Sequence, residues 1–121
     1  MERDGFTEQS GYEAMLKILK MNLLPDACFC TSDIKAVGAQ KAMRELGIQI
    51  PIISFDNLSI AEYIGLSTVN QPMYTMGYNA TEKLVKRIED KSNDKPSHEI
   101  HQPEIIIRSS SEPIPVKKVF V

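Results

Sequence analysis

Residues 25–71 read PDACFCTSDIKAVGAQKAMRELGIQIPIISFDNLSIAEYIGLSTVNQ. Two short apolar runs, ACFC at 27–30 and PIISF at 51–55, each stop at a polar cluster: Thr31, Ser32 and Asp33 after the first, Asp56 and Asn57 after the second. Runs this short and this apolar suit strands buried on both faces. Between them Ala36, Ala39, Met43 and Leu46 recur at helical spacing, with Lys35, Gln40, Arg44 and Glu45 off that face. Gly47 supplies a left-handed stop for this helix. Strand, helix, strand selects a parallel pair. A parallel sheet presents its ligand-binding groups at the carboxyl ends of its strands. The two polar clusters therefore address one crevice, and a small-molecule binding site is the leading expectation.

Working outward, Thr7 is placed to cap a helix, with Glu8 and Gln9 at its positive end. Tyr12, Met15, Leu16, Leu19 and Leu23 form an apolar stripe that ends before Pro25. Residues 66–70 read as a strand stopped by Gln71 and Pro72, and a long helix over 73–89 carries Met76, Ala80, Leu84 and Ile88 on one face. The polar stretch KSNDKPS at 91–97 reads as a loop. The three isoleucines of EIIIR at 104–108 are expected in a buried strand, and prolines extend the tail. Such alternation gives an α/β fold with a mostly parallel sheet.

With 121 residues the chain is one ordinary domain or part of something larger. A hydrophobic share of 42% and a charged share of 25% are those of a soluble globular protein. A net charge of −2 spread along the chain leaves no basic face to hold nucleic acid. The apolar runs are too short to cross a bilayer, and MERDGFTEQSGY contains no signal h-region, so the cytoplasm is expected. Cys28 and Cys30, two apart on a strand, share one face and read as core thiols; a disulfide and a metal set are not expected. His98 and His101 lie in a polar connector, and no base is placed to activate Ser109, Ser110 or Ser111. No cofactor and no enzymatic activity are expected.

The runs TSDIKAVGAQKAMRELGIQIP, SFDN, LSTVNQPMYTMGYNATEKLVKRI and PEIIIRSS, preceded by GFTEQSGYEAMLKIL, resemble the effector-binding core of lac-repressor/galactose-repressor (LacI/GalR) transcription regulators. The resemblance covers nearly the whole chain, up to about residue 113, and its motifs fall in the family's order. It implies one parallel-sheet lobe of a two-lobed, type I periplasmic-binding-protein-like fold, truncated, with the effector in the cleft between lobes. The segments implied are 1–72 for the C-terminal lobe, 73–90 for a long helix that packs on the other lobe, 91–102 for a connector, 103–110 for a returning strand and 111–121 for a tail.

The resemblance further implies a small-molecule carbohydrate effector, a homodimer, and operator DNA reached only through a helix-turn-helix domain that these residues lack. The wording FTEQSGYEAM leans toward a maltose-type repressor. Ser32, Asp33, Asp56, Gln71 and Phe6 match effector positions. Each also has a structural reading. Ser32 and Asp33 can cap the helix. Asp56 can close a turn, although a carboxylate at a strand end suits two vicinal hydroxyls. Gln71 can satisfy a crossing backbone, and Phe6 can serve as a staple before a capped helix. Tyr12, Val37, Lys41, Tyr63 and Ile64 match the dimer interface, though Tyr12 and Val37 can equally serve the core. A fragment of a sugar-binding protein of an ABC transporter, which shares the fold, is the alternative.

Overall fold

A computed structural model describes residues 5–90 and 95–113. It divides into two compact units, one running to Asn70 and resuming at Ile105, the other Gln71–Glu104. In the first unit helix α1 (Glu8–Leu19) leads to strand β1 (Cys28–Phe29), helix α2 (Asp33–Leu46), strand β2 (Ile52–Asp56), the short helix α3 (Ser59–Tyr63) and strand β3 (Ser67–Asn70). Helix α4 (Met73–Glu89) occupies the second unit, strand β4 (Glu104–Ile106) follows it, and a 3-10 turn covers Ser109–Ser111.

The helix boundaries follow from local chemistry. Thr7 and Ser10 form a reciprocal capping box at the start of α1, the Thr7 hydroxyl accepting from the Ser10 N–H at 3.1 Å and the Ser10 hydroxyl from the Thr7 N–H at 3.3 Å. Ser32 caps α2 by accepting the Lys35 N–H at 3.3 Å, and Gly47 ends it at φ 66°. The α1 stripe stops at Leu19, so Leu23 lies beyond the helix and stands exposed, and Leu46 is exposed on the last residue of α2.

The sheet order is β1-β2-β3-β4, with β1, β2 and β3 mutually parallel. The core is small and shared between α1, α2 and the sheet: Met15 and Leu19 meet Ala36, Ala39, Ala42 and Met43, and below them lie Ile50, Ile52, Ala61 and Leu66. Gly11 and Gly38 bring the two helices into backbone contact. A Cβ on Gly11 would lie 2.0 Å from the Lys35 carbonyl oxygen, and one on Gly38 would lie 1.9 Å from that of Glu8. The isoleucine run departs from the expectation of a buried strand: β4 is an edge strand, with Ile105 65% and Ile107 67% exposed. At the amino ends of the strands, Ser110 ties the turn down, donating to the Ile52 carbonyl and accepting from the Ser67 N–H, both at 2.7 Å.

Candidate functional site

The strand ends are organised around a single carboxylate. Asp33, the first residue of α2, is 0% exposed. Its Oδ1 accepts from the Ser54 hydroxyl and, at 2.8 Å, from the Thr68 hydroxyl; its Oδ2 accepts from the Leu58 N–H at 2.6 Å. Ser54 and Thr68 are register partners in β2 and β3, so the bonds join α2, both central strands and the turn into α3. Asp33 was matched to an effector position and also read as structural; its oxygens are turned inward and engaged by three donors, which makes it a brace between the strand ends.

Immediately beyond, the chain turns through two residues of positive φ, Asp56 at 116° and Asn57 at 57°. Such backbone costs on the order of 1–3 kcal/mol per residue for side chains other than glycine and persists only where its surroundings enforce it. Here the bracing is visible. The Asn57 N–H donates to Thr68 Oγ1 at 3.2 Å, its Nδ2 donates to Asn70 Oδ1 at 3.1 Å, and its Oδ1 accepts from Arg108 Nη2 at 3.1 Å. Arg108 is itself anchored, donating from Nη1 to the Leu66 carbonyl and from its N–H to Ser67 Oγ, each at 2.7 Å. Asp56 is thus half-buried at a fixed corner at the end of β2.

Ser32 is buried beside this corner as the α2 cap, on the residue preceding Asp33. Phe6 is 76% exposed, and its ring lies under the Lys35 ammonium at 4.8 Å from the centroid, which sets it beside the first turn of α2. Gln71 is half-buried and opens the second unit. Of the dimer set, Tyr12 and Lys41 are brought together, with the Lys41 Nζ 5.5 Å from the ring centroid and the Tyr12 hydroxyl donating to Glu45 at 2.6 Å. The Glu45 carboxylate, as acceptor of that bond, raises the Tyr12 pKa. Val37 and Ile64 are half-buried, while Tyr63 is 86% exposed.

Ser54, Thr68, Asn70 and Arg108 belong to this site without having been singled out from the sequence. Ser54 and Thr68 left a signal, being hydroxyls at inward positions of apolar strands. Arg108 left none, since its partner Asn57 is 51 positions away. A cavity of about 580 Å³ lies elsewhere in the same unit, lined among others by Met43, Arg44, Ile50, Pro51, Ser110 and Pro113; none of the five expected effector residues borders it. Among the described residues no group of three His, Cys, Asp or Glu could hold a metal ion, and no helix is long and apolar enough to cross a membrane.

Residues 1–111 match the family described as periplasmic binding protein-like domain. The HTH-type transcriptional repressor PurR of Pasteurella multocida (strain Pm70) is 39% identical over 114 residues, which are 88% of this chain and 34% of that protein. A LacI family transcriptional regulator from Enterococcus faecium, solved with bound ribose, superposes with a TM-score of 0.81 at 25% identity, covering 92% of this chain and 42% of the other. The transcriptional regulator CelR–cellobiose complex gives a TM-score of 0.79 at 28% identity, covering 87% of this chain and 34% of the other. The chain therefore spans about a third of the length of the curated relatives it matches.

Proposed function

The chain belongs to the periplasmic binding protein-like domain family, and on that premise we propose that it is the effector-binding and dimerisation portion of a LacI-type transcriptional repressor. The observation that carries this reading is the braced left-handed corner at Asp56 and Asn57, beside the capped start of α2. A carboxylate held there accepts two hydrogen bonds in one plane, as vicinal hydroxyls of a carbohydrate require. Ser32 adds a polar contact, Phe6 offers an aromatic face to sugar C–H groups, and Asp33 supports them from behind. Tyr12, Val37, Lys41, Tyr63 and Ile64 form the surface for a homodimer. Operator DNA is reached through a helix-turn-helix domain elsewhere in a longer cytoplasmic protein, and the chain performs no catalysis. Effector binding acts by differential affinity for two lobe arrangements.

The test uses the full-length protein that contains this chain. Operator binding is followed by mobility shift while maltose, ribose and cellobiose are added in turn. One of these sugars is expected to change operator affinity, and Asp56→Ala is expected to abolish that response while leaving basal DNA binding intact. A protein that binds sugar but no DNA is instead the transporter component. An Asp56→Ala variant with undiminished sugar response overturns the assignment of the site.

A further inference from the structure

Arg108 is half-buried and lies three residues past Ile105, where the chain rejoins the first unit. Its backbone is locked to β3: the Arg108 N–H donates to Ser67 Oγ at 2.7 Å, and Ser67 Oγ donates to the Arg108 carbonyl at 2.9 Å. The guanidinium then spans two elements. Nη1 donates to the carbonyl of Leu66, just before β3, at 2.7 Å, and Nη2 donates to Asn57 Oδ1 at 3.1 Å. The Asn57 amide is held at its other end too, since Nδ2 donates to Asn70 Oδ1 at 3.1 Å. Its orientation is therefore fixed: a flipped amide would set Nδ2 against the Arg108 donor and Oδ1 against Asn70 Oδ1.

We propose that Arg108 is a positioning residue for the effector, acting through Asn57 on Asp56; the inference rests on the effector reading given above. Asp56 and Asn57 are consecutive, with φ of 116° and 57°. Residues other than glycine rarely hold such backbone unless their surroundings enforce it. Without the grip on its side chain, Asn57 is free to relax toward negative φ, and that rotation swings the neighbouring Asp56 carboxylate with it. Groups that bind a ligand must stand within about 0.5 Å of their productive positions. A chain that binds through Asp56 therefore depends on Arg108, although Arg108 itself need touch no effector.

The residue type matters as much as its place. A guanidinium serves two acceptors from one planar fork, here the Leu66 carbonyl and Asn57 Oδ1. An ammonium of the same charge is a compact donor without that geometry. Arg108→Lys therefore keeps the charge and removes the bridge.

The test uses the full-length protein that contains this chain, with two readouts. One is the concentration of maltose, ribose or cellobiose that half-changes operator binding in a mobility shift; the other is amide hydrogen exchange by mass spectrometry. Arg108→Lys is expected to raise that concentration about tenfold or more, the scale of losing a hydrogen bond to a charged group. It should also speed exchange at Asn57 and Leu58, whose N–H groups donate to Thr68 Oγ1 and Asp33 Oδ2, while α2 exchanges as before. Asn57→Gly accepts left-handed backbone but removes the acceptor. Combined with Arg108→Lys, it should weaken the response by no more than about twofold beyond the larger single effect, because both changes break one bond. Additive losses, or unchanged exchange at Asn57 and Leu58 in Arg108→Lys, overturn the proposal. Faster exchange throughout α2 overturns it as well, since it marks a global loss of structure. A parent whose operator binding answers to no sugar refutes the effector reading, and the exchange result then decides by itself whether Arg108 holds the corner.

Discussion

Asp33 and Asp56 are both carboxylates that follow a strand, and their fates differ because their neighbours differ. Asp33 meets three donors inside the fold, while Asp56 is carried past them by a turn that only its surroundings hold in place. Replacing Asp33 with Ala would leave Ser54, Thr68 and the Leu58 N–H without their acceptor. The expected loss is at least about 2–3 kcal/mol, the scale for stranding buried groups that paired with a charge. Urea denaturation measures it, and a loss below 1 kcal/mol, less than a typical net hydrogen bond can account for, would contradict the bracing role. The polar strand ends were legible in the sequence, because polar clusters closing apolar runs have a local cause. The division of labour between them was not, because it rests on Thr68 and Arg108, partners distant in sequence.

Cys28 gives a second prediction at the same scale. Its pKa is lowered to about 7 by the Cys30 hydrogen bond. The thiolate is the nucleophile, so alkylation should persist to lower pH than for an ordinary thiol and fall away as the pH drops through about 7. Cys30→Ala removes the donor, and the midpoint of the iodoacetamide rate profile should move upward. A profile unchanged by that substitution would show that the pair does not communicate.

Among the elements, the α1–α2 crossing is the most constrained contact. Helical periodicity placed Met15, Leu19, Ala36, Ala39 and Met43 inward correctly, and the caps at Thr7, Ser32 and Gly47 were readable because each is a local signal. The close approach through Gly11 and Gly38 was not, since either glycine alone reads as a tolerated helix position. Gly38→Ala would set a methyl group 1.9 Å from the Glu8 carbonyl, where the neighbour is backbone and cannot rotate away. Helix propensity alone would favour alanine by about 1 kcal/mol. Separation of the helices costs more, about 1–3 kcal/mol for overpacking of this kind. The net expectation is a lower thermal midpoint, whereas Gly77→Ala, with nothing near its Cβ position, should raise it. If both substitutions stabilise, the helices are not in backbone contact.

At the scale of the whole molecule, the two units differ in how much apolar surface they hide. The first has a buried cluster of ten residues. The second buries no residue of α4, whose Met76, Leu84, Val85 and Ile88 all stand exposed. The amphipathic stripe was legible from its spacing, but the expectation that it packs on another lobe came only from the family resemblance, because a stripe specifies its own face and not its partner. What the second unit holds together is polar: Lys83 pairs with Glu99 at 2.8 Å, and Asn79 donates to Glu99 at 2.6 Å. These donors lower the pKa of Glu99, but exposed pairs of this kind contribute little to stability. Contiguous exposed apolar surface on a chain of this size drives association. The chain is therefore expected to self-associate with rising concentration in sedimentation experiments. Leu84→Lys with Ile88→Lys should shift that equilibrium toward monomer without lowering the unfolding midpoint, because neither side chain serves a buried core. A parent chain that stays monomeric throughout, or a double variant that unfolds more readily, would show that the α4 stripe is already engaged within the chain.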